Sequence, residues 1–213
     1  TLAVVDLSDT SAAEREAQAR RFAEEEGRRP FDLSRGPLFR ACLLRLAHDN
    51  QILLLTLHHI VADGWSMEVL YREVSALYEA FSTGKPSPLV PLPIQYGDFA
   101  IWQKQWLQGE MLAIQLGYWR KQLAEVPLLQ FPTDRPRPAL QSYRGERLSI
   151  ALSKQLTDQL KALSRKQNAT MYMTLLAAFQ TLIHRYTGED DIVVGSPIAN
   201  RNRHEIETLI GFF

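Results

Sequence analysis

Along the chain, apolar and polar positions alternate with two different periods. Leu2-Ala-Val-Val5 is a short apolar run that reads as a strand. Residues 11–29 are rich in Ala, Glu and Arg with few breakers, the composition of an exposed amphipathic helix, and Ser8, Thr10 and Ser11 are its N-cap candidates. Residues 38–46 and 51–58 give two strand candidates joined by His48-Asp49-Asn50, which reads as a hairpin turn. The second of these is apolar on both faces, so a central, covered place in a sheet is expected for it. Over residues 66–81 the period becomes helical, with Met67, Leu70, Val74, Leu77 and Phe81 on one stripe and Ser66 as a candidate cap.

Residues 83–93 hold four prolines and a Gly-Lys pair and read as a connector. Two aromatic-rich helices follow, at about 96–107 and 110–124. Residues 127–145 form a second connector rich in Pro and Arg, including Pro132-Thr-Asp-Arg-Pro-Arg-Pro138, and are the best candidate for a lobe boundary. After it come a strand at 146–152, helices at 156–167 and 170–186, and a strand, Asp191-Ile-Val-Val-Gly195, opening into Ser196-Pro-Ile-Ala-Asn-Arg201. The pattern describes a mixed α/β chain in two segments: residues 1–130 as part of a first lobe, 131–145 as a linker and 146–213 as the start of a second lobe.

Composition narrows the classes. Lys plus Arg number 24 and Asp plus Glu 24, so the net charge is zero and no nucleic-acid footprint is visible. A hydrophobic fraction of 46% suits a packed core rather than disorder. No apolar run approaches the roughly 18 residues of a membrane-spanning helix, and no signal-peptide pattern is seen. Cys42 is the single cysteine, which excludes an internal disulfide and fits a reducing cytosol, so a cytoplasmic location is expected. The chain starts inside a strand-like run and stops at Ile210-Gly-Phe-Phe213, with no polar tail at either end, so a fragment of a longer polypeptide is expected.

The candidate chemistry lies in His58-His59-Ile-Val-Ala-Asp63-Gly64, followed at once by Trp65-Ser66. If the strand persists, His59 shares a face with Leu53, Leu55 and Leu57, and His58 shares the other with Ile52, Leu54 and Thr56. Only one histidine then faces a given cavity, which argues against a shared metal ion. Taken alone, a strand histidine is more often a core residue bonded to backbone. Here a carboxylate four residues on and a helix start shift the balance to function, because histidine moves protons near neutral pH. Gly64 reads as a position that tolerates no Cβ, and Asp63 as a helix cap or an arginine anchor. Ser66 and Ser196 lack the Gly-x-Ser-x-Gly setting of a nucleophile. Ser66 reads as a cap whose hydroxyl can also line the site. Tyr96, Phe99, Trp102, Trp106 and Trp119 read as packing ahead of a carrier-arm box. Arg135 and Arg137 read as a solvated connector ahead of a phosphate contact.

These residues give the chain a resemblance to the condensation domains of nonribosomal peptide synthetases. The resemblance runs over essentially the whole length. It rests on residues 58–66, Tyr96-Gly-Asp-Phe-Ala-Ile-Trp102, Tyr118-Trp-Arg120, Pro132-Thr-Asp-Arg-Pro-Arg-Pro138 and Ile210-Gly-Phe-Phe213, in that order, with Phe31-Asp-Leu-Ser-Arg-Gly-Pro-Leu-Phe-Arg40 ahead of them. The histidine motif by itself is shared across the chloramphenicol-acetyltransferase-like superfamily.

The resemblance implies a two-lobed chloramphenicol-acetyltransferase-like fold, here truncated at both ends. It implies that His59 is the active-site residue, with His58, Gly64, Trp65 and Ser66 as surrounding motif. Asp63 is implied to be structural, paired with an arginine from the other lobe, for which Arg201 is the candidate. The implied reaction joins a carrier-bound aminoacyl or peptidyl thioester to a carrier-bound aminoacyl acceptor, most like the subtype taking an L donor to an L acceptor, as in antibiotic biosynthesis.

Its partners are then upstream and downstream peptidyl carrier domains, whose phosphopantetheine arms bring the substrates, and an adjacent adenylation domain. No cofactor or metal of its own, nucleic acid or membrane is implied. A heterocyclization domain would carry aspartates in place of the histidines, and epimerization domains usually depart from Asp-Gly-Trp-Ser. A free-acceptor acyltransferase and a non-catalytic docking module are the remaining alternatives. Family motifs that precede this region, and the rest of the second lobe, lie outside the sequence, so the isolated piece is expected to be inactive.

Overall fold

A computed structural model describes residues 2–140, 142 and 145–213. The helical and extended segments fall largely where the periodicity puts them. Strands β1 (Ala3–Asp6), β2 (Phe39–Arg45) and β3 (Gln51–Leu57) form one sheet in the order β1-β2-β3. The pair β2–β3 is an antiparallel hairpin, with Cys42 opposite Leu54 and Leu44 opposite Ile52. The pair β1–β2 is parallel, with Ala3 opposite Cys42, and α1 (Ala12–Arg28) is the crossover that a parallel pair requires. Because strand side chains alternate, Cys42 and Leu44 face α1 together and bury against Ala19 and Leu46, with Val5, Leu7, Phe22 and Leu54 around them. Arg40 ties the end of α1 to β2: it pairs with the Glu26 carboxylate, donates to the carbonyls of Glu26 (3.0 Å) and Arg29 (2.9 Å), and lies 3.7 Å over the Phe31 ring.

The place of β3 differs from expectation. Among the described residues it lies at an edge of the sheet and β2 at the centre, with Ile52 and Leu53 38% and 40% exposed. An apolar residue on each face asks for cover above and below the sheet, not for a hydrogen-bonded neighbour on each side, so the pattern did not determine strand order.

Helix α2 (Gly64–Ser82) follows the histidine motif, and α3 (Tyr96–Trp106) follows the proline connector. On α2 the buried positions are Ser66, Val69 and Ala80, while Phe81 of the expected stripe is exposed. The aromatic spacing of α3 is a packing stripe: Phe99 buries with Ile206 and Leu209, and Tyr96, Trp102 and Phe213 pack around them.

Contacts divide the chain into one unit of residues 1–111 with 198–213 and another of 112–197. The boundary expected at 131–145 therefore falls within the second unit, and Arg201 belongs to the same unit as Asp63. The second unit holds most of α4 (Gly109–Gln122), then α5 (Lys154–Lys166) and α6 (Met171–Thr187). Ser153 and Thr170 cap α5 and α6 by accepting from Leu156 N–H and Met173 N–H, both at 3.2 Å. Gly188 ends α6 with φ +74°, a left-handed conformation suited to glycine.

The strands expected at 146–152 and 191–195 do not form: the described residues there join no ladder. Alternation of Leu148, Ile150 and Leu152 is a sufficient pattern for a strand, but a strand needs a partner for its backbone groups, and the described residues supply none. Among the described residues no helix is long and apolar enough to cross a membrane.

Candidate active site around the histidine turn

The ladder of β3 ends at Leu57, one residue before the histidines. His58 N–H still donates to Leu38 O at 3.0 Å, and then the chain turns, with Val61 N–H donating to His58 O at 3.0 Å. The face assignment expected for a continued strand therefore does not apply. The turn separates the two imidazoles by their surroundings. His58 Nδ1 accepts from Ile60 N–H at 3.1 Å, and the ring meets Phe31 edge-on at 6.0 Å. In that bond Nδ1 is the acceptor, so this nitrogen is committed to the turn. His59 is exposed, meets Phe212 in a T-shaped contact at 5.3 Å, and makes no side-chain hydrogen bond to the described residues.

Four residues on, Asp63 is the N-cap of α2. Its backbone is extended and its Oδ1 accepts from Ser66 N–H at 2.8 Å. The same carboxylate accepts from Ser66 Oγ at 2.7 Å and from Arg201 Nη2 at 3.0 and 3.3 Å. Arg201 has a side chain only 1% exposed. Its Nη1 donates to the carbonyls of Ile206 (2.6 Å) and Leu209 (2.8 Å), its Nη2 also donates to Ser66 Oγ at 2.8 Å, and its guanidinium lies 3.8 Å over the Phe213 ring. Burial pushes the Asp63 carboxyl upward, but the Ser66 N–H and O–H and the Arg201 cation together outweigh it, and the net pKa is lowered. Asp63 therefore keeps its charge, committed to Arg201 and to the helix end.

Two readings of the motif need correction. Ser66 is not the cap: its backbone N–H is capped by Asp63, and its fully buried hydroxyl binds Asp63, Arg201 and Gly211 instead. Gly64 does not need the absence of a Cβ, because it is an exposed first residue of α2 and an added Cβ would meet nothing within 4 Å. The glycine under steric constraint is Gly211, whose added Cβ would fall within the Tyr96 ring. Trp65 is 42% exposed, and its Nε1 donates to Glu207 O at 2.8 Å. Burial, with a smaller push from Glu26, raises the Cys42 thiol, so it is a poor nucleophile.

Sequence reasoning gave no role to Gly211 or Phe212 and read Tyr96 only as packing, although each lies in a segment that carries the resemblance. Their roles depend on backbone contacts between distant segments, such as Tyr96 OH donating to Phe212 O at 2.6 Å.

The family model described as "Condensation domain" matches residues 1–213. A linear gramicidin synthase of Brevibacillus parabrevis is 54% identical over 210 residues, which cover 98% of this chain and 4% of that protein. The solved X-domain from teicoplanin biosynthesis is 30% identical with a TM-score of 0.82, over 100% of this chain and 47% of that one. It has also been solved as a complex with OxyB. The first condensation domain of the calcium-dependent antibiotic synthetase, solved with a substrate analogue, shares the fold at 22% identity, with a TM-score of 0.74 over 100% of this chain and 48% of that one. The chain thus spans about half of these solved chains and a small part of the gramicidin synthase. It belongs to the condensation-domain family of nonribosomal peptide synthetases, with the chloramphenicol-acetyltransferase-like fold.

Proposed function

We propose that this segment carries the active-site histidine of a peptide-bond-forming condensation domain. The domain joins a carrier-bound aminoacyl or peptidyl thioester to a carrier-bound aminoacyl acceptor, an L donor to an L acceptor. The substrates come on the phosphopantetheine arms of flanking carrier domains in the cytoplasm, with an adenylation domain adjacent.

The observation that carries the reading is the contrast between the two histidines. His58 gives its Nδ1 to its own turn, whereas His59 presents an exposed imidazole with no bond to the described residues. Beside it, Asp63, Ser66 and Arg201 form a buried network that holds the turn and the start of α2.

The chemistry asked of His59 is modest. An α-amine of pKa about 7.7 to 8 is already roughly a tenth to a fifth unprotonated at pH 7. His59 orients that amine as it forms the C–N bond at the thioester carbonyl and accepts a proton from the tetrahedral intermediate. Collapse of that intermediate breaks the C–S bond and leaves the sulfur on the donor arm as a thiol once it is protonated. General base assistance adds about 10² to 10⁴-fold, and positioning can add more. Asp63 takes no proton in this scheme, because its charge is held by Arg201.

A second reading is a docking module without turnover, supported by the likeness to an X-domain solved with OxyB. Single-turnover dipeptide formation separates the two, read by mass spectrometry of the acceptor carrier in the complete domain. A folded His59→Ala variant that forms product at least about tenfold more slowly than wild type supports catalysis. No product from folded wild type with several carrier-bound pairs favours docking or transfer to a free acceptor.

A further inference from the structure

Residues 206–213 run as a strap against the start of α2, anchored at several points to the motif and to α3. Asp63 N–H donates to Gly211 O at 3.0 Å, and Gly211 N–H donates to Ser66 Oγ at 3.0 Å. On the other side of Phe212, Phe213 N–H reaches Asp63 Oδ2 at 3.4 Å and Tyr96 OH donates to Phe212 O at 2.6 Å. Gly211 lies so close to the Tyr96 ring that no side chain fits between them. The backbone is therefore fixed before and after Phe212. Its own side chain, 49% exposed, is turned to the His59 imidazole with centroids 5.3 Å apart and planes at 86°.

We propose that Phe212 is a positioning residue for His59. This rests on the reading of His59 as the active-site group and assigns what holds its ring. An exposed imidazole with no hydrogen bond to the described residues has several rotamers open to it. A phenyl ring in T-shaped contact restricts that sampling and keeps water from one side. The contact is made ring to ring, so Phe212 itself occupies neither imidazole nitrogen. The rigid strap supplies the precision: the Asp63, Ser66 and Tyr96 bonds reach His59 through Phe212 without touching the imidazole.

The test is single-turnover condensation by the complete, carrier-loaded synthetase, with wild type compared with Phe212→Leu, Phe212→Tyr, His59→Ala and the double variant His59→Ala/Phe212→Leu. Phe212→Leu is expected to slow the step about tenfold, since small misplacements of a catalytic group carry large penalties. Affinity for the acceptor-loaded carrier should be unchanged, and Phe212→Tyr should restore most of the rate. In the His59→Ala background, Phe212→Leu should have no further effect. A full additional loss in that background overturns the proposal and leaves His59 catalytic. A His59→Ala enzyme as fast as wild type overturns the underlying reading instead. Ring resonances of labelled His59 should shift in Phe212→Leu, and unchanged resonances overturn the contact itself whatever the rates.

Discussion

Ser66 Oγ lies 2.8 Å from the carbonyl oxygen of Gly211 and 3.0 Å from its amide nitrogen, joining positions 145 residues apart. A hydroxyl has one proton and two lone pairs. Here it accepts from Gly211 N–H and Arg201 Nη2, and its proton goes to Asp63 Oδ1 or to Gly211 O. One buried oxygen thus couples the cap of α2, the Arg201 guanidinium and the strap that carries Phe212.

Ser66→Ala removes that oxygen from a site with no solvent exposure. Gly211 N–H loses its acceptor and Arg201 loses one of several. A stranded buried donor costs about 1–3 kcal/mol, so a loss of about 2–3 kcal/mol in unfolding free energy of the complete condensation domain is expected. Denaturant titration measures it. A change below about 0.5 kcal/mol would show that the node contributes nothing beyond an ordinary surface site.

The Asp63–Arg201 pair should appear in the acid limb of stability. The folded carboxyl is lowered below its ordinary value, so its contribution is complete above the unfolded aspartate pKa of about 3.9 and fades as pH falls through the lower folded value. Asp63→Asn should therefore be less stable than wild type near neutrality, with the difference shrinking below about pH 4. Removing one partner of a buried pair costs about 3–5 kcal/mol, and Arg201→Met, which leaves Asp63 without its cation, should fall in that range. A gap between wild type and Asp63→Asn that stays constant from neutral pH to about pH 2 would contradict the linkage.

Gly211 and Tyr96 should behave as one site. Gly211→Ala places a methyl group in the Tyr96 ring, and that ring is held by Phe99, Phe213 and the Phe212 carbonyl. Overpacking of this kind costs about 1–3 kcal/mol. Tyr96→Ala removes the obstacle along with the packing, so Gly211→Ala should cost much less in the Tyr96→Ala background. Strict additivity of the two losses in a double-mutant cycle would sink the claim of direct contact.

These sites show where the sequence was legible. The short apolar runs and the helical stripe placed β2, β3 and α2 because each follows from neighbours in the chain. Asp63 was legible both as a cap and as an arginine anchor, and it is both. The extended runs at 146–152 and 191–195 carry strand patterns but join no ladder among the described residues, since pairing is decided by what lies beside a segment and not within it. Ser66 shows the same limit inside the motif. Its place three residues from Asp63 was readable, whereas its bonds to Arg201 and Gly211 depend on a strap that no local period describes. Gly64 shows a related limit: a glycine's neighbours in space, not its neighbours in a motif, decide whether a Cβ is tolerated.

Gly64→Ala is accordingly expected to be mild. The position is the first residue of α2, its φ is not left-handed, and an added Cβ meets nothing within 4 Å. Asp63 still caps the helix, because the bonds it accepts come from Ser66 and Arg201. Replacing glycine by alanine at a compatible helical position narrows the unfolded ensemble and stabilises by about 0.4–1 kcal/mol. The complete domain should therefore unfold at equal or slightly higher denaturant concentration, and single-turnover condensation should stay within about twofold of wild type, the scatter expected of a surface change. A fall of about tenfold in rate with stability preserved would instead mean that substrate backbone passes close to Gly64, where a methyl group obstructs it.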